Sequence, residues 1–390
     1  SSLVNTLYIL DEPSIGLHAR DTKRLLEILG EIRDRKNTVV CVEHDPEVIL
    51  AADHLVDLGP LAGERGGEIV YAGPPQGLLE GAATLTARSV QGAKETGVTI
   101  RSRPVGPRTP WLVIRGASEH NLKGITVRIP LERLVCISGV SGSGKSTLMK
   151  EILHKGLLRL LGKTSERPGR HESIEGYEKI EDVILVDTSP LGNTPRANPV
   201  TYIRAFDGIR SLFATAPLAR LRGYTAGTFS FNAGRGRCPA CLGEGFEKVE
   251  MQFLADVFVV CPECAGSRYR KEVLEVTWRG KTIQEVLEMT VEEGASFFQK
   301  APRVARPLEV LRSIGLGYLR LGQPLNTLSA GEAQRLRLSA HIARSRKAHT
   351  LFLFDEPTTG LHLYDIRFLL KTLDALIEQG HSVVVIEHNL

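Results

Sequence analysis

The chain contains one short segment twice. Residues 7–18 read LYILDEPSIGLH, and residues 351–362 read LFLFDEPTTGLH. Farther along, VVCVEH at 39–44 recurs as VVVIEH at 383–388, at the same offset. Two matched motifs at a single offset indicate that the chain holds corresponding parts of two related modules.

Each copy reads as strand, turn, helix and strand. Four apolar residues precede each Asp-Glu pair, and such a run predicts a strand buried on both faces of a parallel sheet. Strands that alternate with helices predict an α/β fold with a mostly parallel sheet. Apolar residues recur at helical spacing, at Leu25, Leu26, Leu29 and Ile32 in the first copy and at Leu369, Leu370, Leu373, Leu376 and Ile377 in the second.

The repeat also divides the chain into domains. We expect residues 1–75 to be the C-terminal part of a first module, and residues 76–110, rich in Gly, Ala, Thr, Arg and Pro, to be a linker. The second module then comprises residues 111–165 and 315–390, with an inserted domain at 166–314. Because the first residue is not Met and the second copy ends soon after its last motif, we expect a segment of a longer polypeptide.

The composition excludes several classes of protein. Hydrophobic residues make up 42% and charged residues 24% of the chain, which is typical of globular domains and argues against disorder. No run of about 18 apolar residues could span a membrane, and no basic stretch opens the chain as in a signal peptide. We therefore expect a cytoplasmic protein without a membrane partner, whose net charge of +4 is compatible with nucleic acid.

Residues 139–146, GVSGSGKS, match the phosphate-binding loop pattern G-x-x-x-x-G-K-[ST]. An apolar strand at 134–138 leads into the loop, and a helical run leads out of it. Lys145 would pair with the β- and γ-phosphates of ATP, and Ser146 would bind Mg²⁺. The alternative is a Gly/Ser-rich turn without a ligand. The predicted nucleotide contacts are Gly139, Ser141, Gly142, Ser143, Gly144, Lys145, Ser146 and Thr147.

The repeated Asp-Glu pair suits hydrolysis of that nucleotide. Asp355 would hold the Mg²⁺ ion, usually through water, and Glu356 would act as general base toward the attacking water. His388 ends the next buried strand and would sense the γ-phosphate, although a lone histidine there is more often structural. The first copy carries the same set as Asp11, Glu12 and His44.

A helix start at 326–335, NTLSAGEAQR, has two interpretations. Ser329 and Glu332 fit a capping box, which needs no ligand. The segment also resembles the LSGGEAQR signature of ABC ATPases, with Ala330 in place of the first glycine. Phosphate loop, signature, Asp-Glu and His occur in the ABC order. This resemblance implies that Ser329 and Gly331 contact the γ-phosphate held by an opposite module.

Four of the six cysteines form two close pairs within the predicted insert. They give the pattern C-x2-C-x19-C-x2-C, at Cys238, Cys241, Cys261 and Cys264. Two matched pairs can supply a tetrahedron of thiolates, so the pattern predicts one zinc ion per chain; disulfides, free thiols or a redox pair are the alternatives. Cys41 and Cys136 stand alone in apolar strands and are predicted to be buried.

Three further segments make the resemblance more specific. They are SPLGNTPRANP at 189–199, TFSFN at 228–232 and HNLK at 120–123. With the cysteines they resemble the UvrA family, the lesion-scanning ABC ATPases of bacterial nucleotide excision repair, over residues 3–390. The resemblance implies two ABC modules in one polypeptide, a homodimer, and double-stranded DNA, preferably damaged, bound across the inserts. It also implies a zinc hairpin that helps to distinguish damaged duplex, and UvrB as a partner through a segment outside these residues.

The chain departs from the family pattern at two places. Thr188 stands where the family has a glutamine that reaches the Mg²⁺ and the water, so we expect altered coupling between ATP and the insert. Asn193 and residues 224–228 replace basic residues, which predicts weaker or reoriented DNA binding because phosphate contacts supply much of the affinity. Each remaining cation is a candidate DNA contact or a solvated surface residue: Arg196, Arg204, Arg210, Arg220, Arg222, Arg235, Arg237 and Lys248.

The combined features predict an ATP-hydrolysing sensor of DNA damage. Since the chain holds one phosphate loop and one signature, we expect slow turnover unless two chains associate head to tail. The departures favour, as an alternative, a divergent UvrA-like ATPase in drug or stress resistance without lesion specificity. The zinc pattern disfavours a transporter ATPase, and Glu356 disfavours a nucleotide-binding scaffold without activity.

Overall fold

The structure is a computed structural model that describes residues 4–14, 17, 19–60, 63, 66–81, 84–91, 101–187, 191, 196–249, 257–344, 349–358 and 363–387. The strands are β1 Leu7–Asp11, β2 Thr38–Val42, β3 Leu55–Gly59, β4 Glu68–Gly73, β5 Trp111–Ala117, β6 Ile125–Pro130, β7 Leu134–Ile137, β8 Ser173–Glu175, β9 Asp182–Val186, β10 Phe246–Val249, β11 Val257–Val260, β12 Thr277–Trp278, β13 Lys281–Thr282, β14 Thr350–Asp355 and β15 Ser382–Ile386.

The α-helices are α1 Ala19–Asp34, α2 Pro46–Ala51, α3 Pro75–Gly81, α4 Leu85–Val90, α5 Lys155–Leu160, α6 Pro199–Tyr202, α7 Ala205–Ala214, α8 Pro217–Leu221, α9 Lys271–Leu274, α10 Ile283–Glu288, α11 Val291–Phe297, α12 Pro302–Ser313, α13 Ala330–Arg344 and α14 Leu363–Glu378. A π-helical stretch, Thr147–His154, runs directly into α5, and a short 3-10 turn, Leu325–Thr327, precedes α13.

The chain divides into two compact units, Ser1–Thr188 with Ser345–Leu390, and Ser189–Arg344. The second unit therefore starts and ends later in the chain than the insert predicted at 166–314. This difference has a structural reason, because β8 pairs with β5 and β9 pairs with β14, both within the first unit. The stretch predicted as a linker also contains α3 and α4, which bury Leu78 and Ala87.

A four-stranded parallel sheet, in the order β7-β15-β14-β9, forms the centre of the first unit. Residues 351–354 of β14 are fully buried, as expected for a central strand covered on both faces. The predicted α/β class with a mostly parallel sheet is confirmed. Because all four strands run in the same direction, the loops after β7, β14 and β15 leave from one edge of the sheet.

The two repeated segments share one register but differ in burial. β1 pairs with β2 in parallel, residue for residue as β14 pairs with β15. In the first copy, however, Leu7 is 57% and Ile9 is 71% exposed. The prediction of strands buried on both faces is therefore wrong for this copy. The reason is that side chains on one face of the β1–β2 sheet are exposed and those on the other face are partly buried, so only one face is partly covered within the described residues.

The two isolated cysteines also differ from expectation. Cys41 is only half-buried in β2, and Cys136 is exposed on β7, which is an outer strand of the parallel sheet. The prediction that both are buried is wrong, because an apolar strand sequence does not say whether another element packs over a given face of the sheet.

The first unit also contains an antiparallel sheet with the order β6-β5-β8 and a two-stranded antiparallel sheet of β3 and β4. Leu112 and Ile114 of β5 share one buried core with Met149 and Ile152 of the helix that follows the phosphate loop. This core also includes Leu353 of β14, so the helix is held between the antiparallel and parallel sheets. The packing fixes where the helix begins, and therefore where the phosphate loop ends.

The second unit is mostly helical and is built around aromatic side chains. Phe206, Phe213, Phe229 and Phe231 are buried, and the rings of Phe213 and Phe229 have centroids 5.5 Å apart. Tyr269 is buried among them, and its hydroxyl donates a hydrogen bond to the carbonyl oxygen of Phe229 (2.9 Å). Burial raises the pKa of Tyr269, so this hydrogen bond persists throughout the ordinary pH range.

The β10–β11 hairpin lies between the two cysteine pairs in sequence. Val257, Phe258, Val259 and Val260 of β11 are all exposed, so the hairpin presents apolar side chains to solvent. Among the described residues, no helix has both the length and the apolar character needed to cross a bilayer.

Gly236 offers a test of the packing in the second unit. A Cβ atom there would overlap the carbonyl oxygen of Thr228. We expect Gly236→Ala to lower the free energy of unfolding by about 1–3 kcal/mol, the usual cost of overpacking. Gly227→Ala is the matched control, because its Cβ would meet only the Thr225 hydroxyl at an ordinary 3.4 Å. Urea denaturation distinguishes the two; equal stability of both variants would contradict the packing described.

Candidate functional site

The phosphate loop connects β7 to the helical stretch that begins at Thr147. Gly139, Gly142 and Gly144 have φ angles of +148°, +74° and +100°, which favour glycine. Lys145 is buried, and its ammonium group donates to the carbonyl oxygens of Gly139 (2.7 Å) and Val140 (3.0 Å). The loop is thus a tight turn at a helix N-terminus with a cation folded against it, which suits a bound phosphate.

The segment before β6 supports this loop from outside. The side-chain amide of Asn121 donates to the carbonyl oxygen of Gly142 (2.8 Å). A Cβ atom on Gly144 would come within 2.9 Å of the Asn121 Oδ1 atom, so the glycine also allows this close approach. Neighbouring His120 has a left-handed backbone, and its Nδ1 atom lies 3.4 Å from the Thr147 hydroxyl. The HNLK segment therefore has a structural role beside the loop.

Asp355 ends β14 and faces the helix that follows the phosphate loop. Its Oδ2 atom lies 2.5 Å from the Lys150 ammonium nitrogen. Its Oδ1 atom is buried and has no hydrogen-bond partner within the described residues. A buried carboxylate oxygen without a partner is costly unless a cation binds it, so Asp355 fits the predicted Mg²⁺ ion. The Ser146 hydroxyl makes no capping hydrogen bond and is available as a second ligand.

The glutamate after each repeated aspartate has a strained backbone. Glu12, which follows Asp11 of β1, has a φ angle of +45°, and Glu356 has one of +49°. For residues other than glycine this conformation costs about 1–3 kcal/mol and is concentrated at functional sites. In the first copy, the Glu12 Oε1 atom lies 3.3 Å from the His44 Nε2 atom. The structure thus brings the predicted base and histidine together in the copy where both are described.

In each copy a second glutamate, at the end of the neighbouring strand, accepts hydrogen bonds from the turn that follows the Asp-Glu pair. The N–H and hydroxyl groups of Ser14 each donate to the Glu43 carboxylate at 2.8 Å. In the second copy, the N–H group of Thr358 donates to the Glu387 Oε1 atom at 2.9 Å. We did not predict either glutamate, although both stand directly before the histidine of the repeat.

The signature segment forms the capping box that its sequence predicts. Glu332 N–H donates to the Ser329 hydroxyl oxygen (3.2 Å), and Ser329 N–H donates to the Glu332 carboxylate (2.8 Å). The capping interpretation is therefore confirmed. Because the hydroxyl accepts in this contact, its own proton is still available to a second acceptor. Gly331 is buried in the first turn of α13.

The four paired cysteines come together in the second unit. The Sγ atoms of Cys238, Cys241, Cys261 and Cys264 all lie within 4.8 Å of one another. Those of Cys241 and Cys264 are 3.6 Å apart. A tetrahedral zinc ion with Zn–S bonds of about 2.3 Å separates its sulfur ligands by about 3.8 Å. A disulfide needs about 2.05 Å, so the cluster fits zinc and not a cystine.

Groups around the cluster complement negative charge. The N–H group of Gly245 donates to the Cys241 Sγ atom (3.2 Å). Arg268 is only 6% exposed; burial lowers the pKa of its guanidinium, while the Cys241 and Cys264 thiols raise it. Burial also raises the pKa of the Cys264 thiol, so a bound cation is needed to keep it deprotonated at neutral pH. The surroundings therefore suit four thiolates around one divalent ion.

The predicted DNA-binding cations fall into two groups. In the first, an acidic residue or backbone carbonyl already contacts the guanidinium: Arg196 with Glu244, Arg210 with Asp207, Arg222 with Glu275, and Arg237 with the carbonyls of Asn232 and Leu242. In the second, Arg204, Arg220 and Arg235 are exposed, and their side chains form no ion pair or hydrogen bond within the described residues. Within the part of the chain that the structure describes, no carboxylate offsets the charge of this second group.

Some predicted residues lie outside the described part of the chain. These are Thr188, Asn193 and His388, together with the side chain of Lys248. Among residues that the sequence reasoning missed, Glu43 and Glu387 could have been found from the repeat, and Asn121 from the HNLK segment. Lys150 and Arg268 carry no signal in the sequence, because their contacts depend on the three-dimensional packing of distant segments.

Comparison with known proteins gives close relatives over the whole chain. No protein-family model matches it. The UvrABC system protein A of Methanothermobacter thermautotrophicus is 52% identical over 391 residues. Those of Micrococcus luteus and Thermus thermophilus are each 51% identical over 390 residues. Each match covers 100% of this chain, but only 40%, 39% and 41% of the respective relative.

A solved structure of a UvrA protein also has the fold of this chain. The crystal structure of UvrA2 from Deinococcus radiodurans matches with a TM-score of 0.91 and 44% sequence identity. The match covers 100% of this chain and 46% of that chain. This chain spans about two fifths of the length of the curated relatives that it matches. The chain therefore belongs to the UvrA family, of which it represents a partial segment.

Proposed function

We propose that the protein containing this segment hydrolyses ATP and uses the nucleotide to control recognition of damaged double-stranded DNA. It acts as a cytoplasmic homodimer, with UvrB as a partner through a segment outside these residues. The observation that carries the proposal is the position of the phosphate loop, Asp355 and Glu356, which all follow strands at one edge of a parallel sheet. Identity of about 50% to proteins named as UvrABC system protein A supports the repair role.

The residues of the first unit suit ATP hydrolysis in named roles. Lys145 exchanges its contacts with the Gly139 and Val140 carbonyls for the β- and γ-phosphates. Mg²⁺, held by Ser146 and Asp355, would neutralise negative charge on the phosphates. Glu356 takes a proton from the attacking water as that water's oxygen bonds to the γ-phosphorus and the bond to the ADP oxygen breaks. ADP and phosphate are the products.

The repeat supports the role of the histidine in this reaction. His44 contacts Glu12 in the first copy, and in the sequence His388 follows Glu356 at the same spacing as His44 follows Glu12. We therefore place His388 beside Glu356 and the γ-phosphate. Thr188, in place of the family's glutamine, offers a shorter side chain toward the Mg²⁺ ion, and this favours altered coupling between ATP and the second unit.

A second module completes the nucleotide site in this proposal. The Ser329 hydroxyl accepts one hydrogen bond and can still donate its proton to a γ-phosphate, and Gly331 allows close approach. In ABC proteins these groups meet the phosphate loop of the opposite module. We therefore propose head-to-tail pairing of modules.

The second unit supplies the proposed metal and DNA contacts. One zinc ion, bound by the four clustered thiolates, would hold the base of the β10–β11 hairpin. The exposed apolar side chains of β11 suit a surface that probes an unstacked or distorted base pair, which an intact duplex does not present. Arg204, Arg220 and Arg235 suit phosphate contacts, because their charge is exposed and not already offset.

Glu356→Gln tests the proposed hydrolysis. In the full-length protein whose first-module base is already removed by Glu12→Gln, we expect Glu356→Gln to leave ATP binding intact and to lower the remaining turnover by about 10²–10⁴-fold, because Gln cannot accept the water proton. Lys145→Ala is the contrasting variant and should lose nucleotide binding at this site, while the site of the first module still binds nucleotide. Fluorescent-nucleotide titration and phosphate release measure the two effects. Turnover at the parent rate in Glu356→Gln would exclude its role as the base.

Elemental analysis tests the proposed metal. We expect one zinc per chain in the full-length protein beyond any bound elsewhere, and the loss of that one ion in Cys241→Ser, because three thiolates leave a tetrahedral site incomplete. Cys136→Ser is the matched control and should retain every ion, since Cys136 lies on an exposed outer strand. Equal zinc content in the two variants would show that the cluster binds no zinc.

Salt-dependent duplex binding tests the DNA contacts. We expect Arg235→Ala to weaken binding and to reduce the slope of log affinity against log salt by about 0.9, the effect of one phosphate contact. Arg222→Ala should change the slope less, because Glu275 already pairs with Arg222. Parallel measurements on a lesion-bearing and an intact duplex, with and without ATP, address damage recognition. Equal weak binding to both duplexes would favour the drug- or stress-resistance alternative.

A further inference from the structure

We infer that Glu387 is a positioning residue that holds the catalytic glutamate and the phosphate-loop strand in one rigid arrangement, and that Glu43 has the same role in the first copy. The inference rests on the proposed function, because it takes Glu356 as the base. It concerns a residue to which neither the sequence motifs nor the comparisons give a role.

The turn after β14 has few groups that can anchor it. Glu356 has a left-handed backbone, and Pro357 has no N–H group to donate. Among the described residues, the backbone donors nearest the proline are the N–H groups on either side of it. That of Glu356 donates to the Ile386 carbonyl (3.0 Å), and that of Thr358 donates to the Glu387 carboxylate (2.9 Å). One anchor is thus part of the sheet and the other is a side chain.

The first copy repeats this arrangement independently. Glu12 also has a left-handed backbone, and its N–H group donates to the Val42 carbonyl (2.9 Å). Beyond Pro13, both the N–H and the hydroxyl groups of Ser14 donate to the Glu43 carboxylate. The two copies differ in burial and in the residue after the proline. The same strained glutamate and the same side-chain anchor in both point to a functional requirement of the turn.

Glu387 also contacts the strand that leads into the phosphate loop. Its own N–H group donates to the carbonyl oxygen of Ile137, the last residue of β7 (3.3 Å). The side chain is 8% exposed, so its carboxylate depends on donors from the protein. One residue therefore connects the backbone before the phosphate loop with the turn that carries the base. This connection fixes the distance between bound phosphate and Glu356.

Loss of the side-chain anchor has a specific expected effect. Without it, the turn can relax from the strained conformation, and the Glu356 carboxylate moves away from the attacking water. A misplacement of about 1 Å can cost about 10²-fold in rate. Nucleotide binding should persist, because the contacts that hold Lys145 and Asn121 in place are with the carbonyl oxygens of Gly139, Val140 and Gly142. The effect should therefore appear in kcat and not in the Kd for ATP.

The experiment compares Glu387→Ala, Glu387→Gln and the control Glu378→Ala in the full-length protein. Glu378 ends α14 and is exposed. In a background where Glu12→Gln has removed the base of the first module, we expect Glu387→Ala to lower kcat by about 10–10²-fold with an unchanged Kd for ATP. Glu387→Gln keeps an oxygen that can accept the Thr358 N–H bond and should recover most of the rate. The control should match the parent. Phosphate release, fluorescent-nucleotide titration and thermal unfolding give the three readouts.

Three results would overturn the inference: a parent-like kcat in Glu387→Ala, an equal loss in Glu387→Gln, or a loss of rate that follows weaker ATP binding. If Glu387→Ala does not fold, Glu387→Asp replaces it with the same expected loss, because the carboxylate is then one methylene too short. Glu356→Gln in the same assay separates the two claims. If that variant hydrolyses ATP at the parent rate, the proposed function fails whatever the Glu387 variants do.

Discussion

The parallel pairing of β14 with β15 and of β15 with β7 is the constraint on which the nucleotide site depends. Its register aligns Asp355 with Ile386, and Ile386 with Ile137, in one row across three strands. The phosphate loop and the Asp-Glu turn leave the sheet directly beyond this row. Because side chains alternate between the faces of a strand, a slip of one residue would turn Asp355 away from Lys150 and the loop. Correct chemistry at this edge therefore requires correct strand pairing.

The cysteine cluster of the second unit follows a different principle, because no extended sheet surrounds it. Its pairs are joined by local backbone contacts, such as Cys238 N–H with the Arg268 carbonyl (2.9 Å) and Cys261 N–H with the Gly245 carbonyl (3.0 Å). These contacts hold the four thiols close together. They supply no positive charge, however, so four thiolates at this distance would repel one another. Arg268 and a divalent cation suit that charge. The first unit is thus held mainly by buried strands, whereas the cysteine cluster of the second unit is arranged so that it could hold a metal ion.

The sequence predicted the elements that depend on local patterns. The α/β class, the phosphate loop between strand and helix, the capping box at Ser329 and the cysteine cluster all follow from spacing within short segments. Contacts across the sheet could not be predicted so well, since spacing along the chain does not say which side chains meet; Lys150 with Asp355 is one example. The burial of β1 and β2 was predicted wrongly. Apolar side chains in a strand indicate that something packs against them, but the sequence does not say whether that packing partner lies within these residues.

The exposed face of the first copy has a practical consequence for handling this segment. Leu7, Ile9, Val40 and Val42 form an apolar stripe along one face of a two-stranded sheet. Neither outer edge of that sheet is paired within the described residues, so its free N–H and C=O groups are a template for another chain. An exposed apolar face beside unpaired strand edges is a predicted site of association between chains.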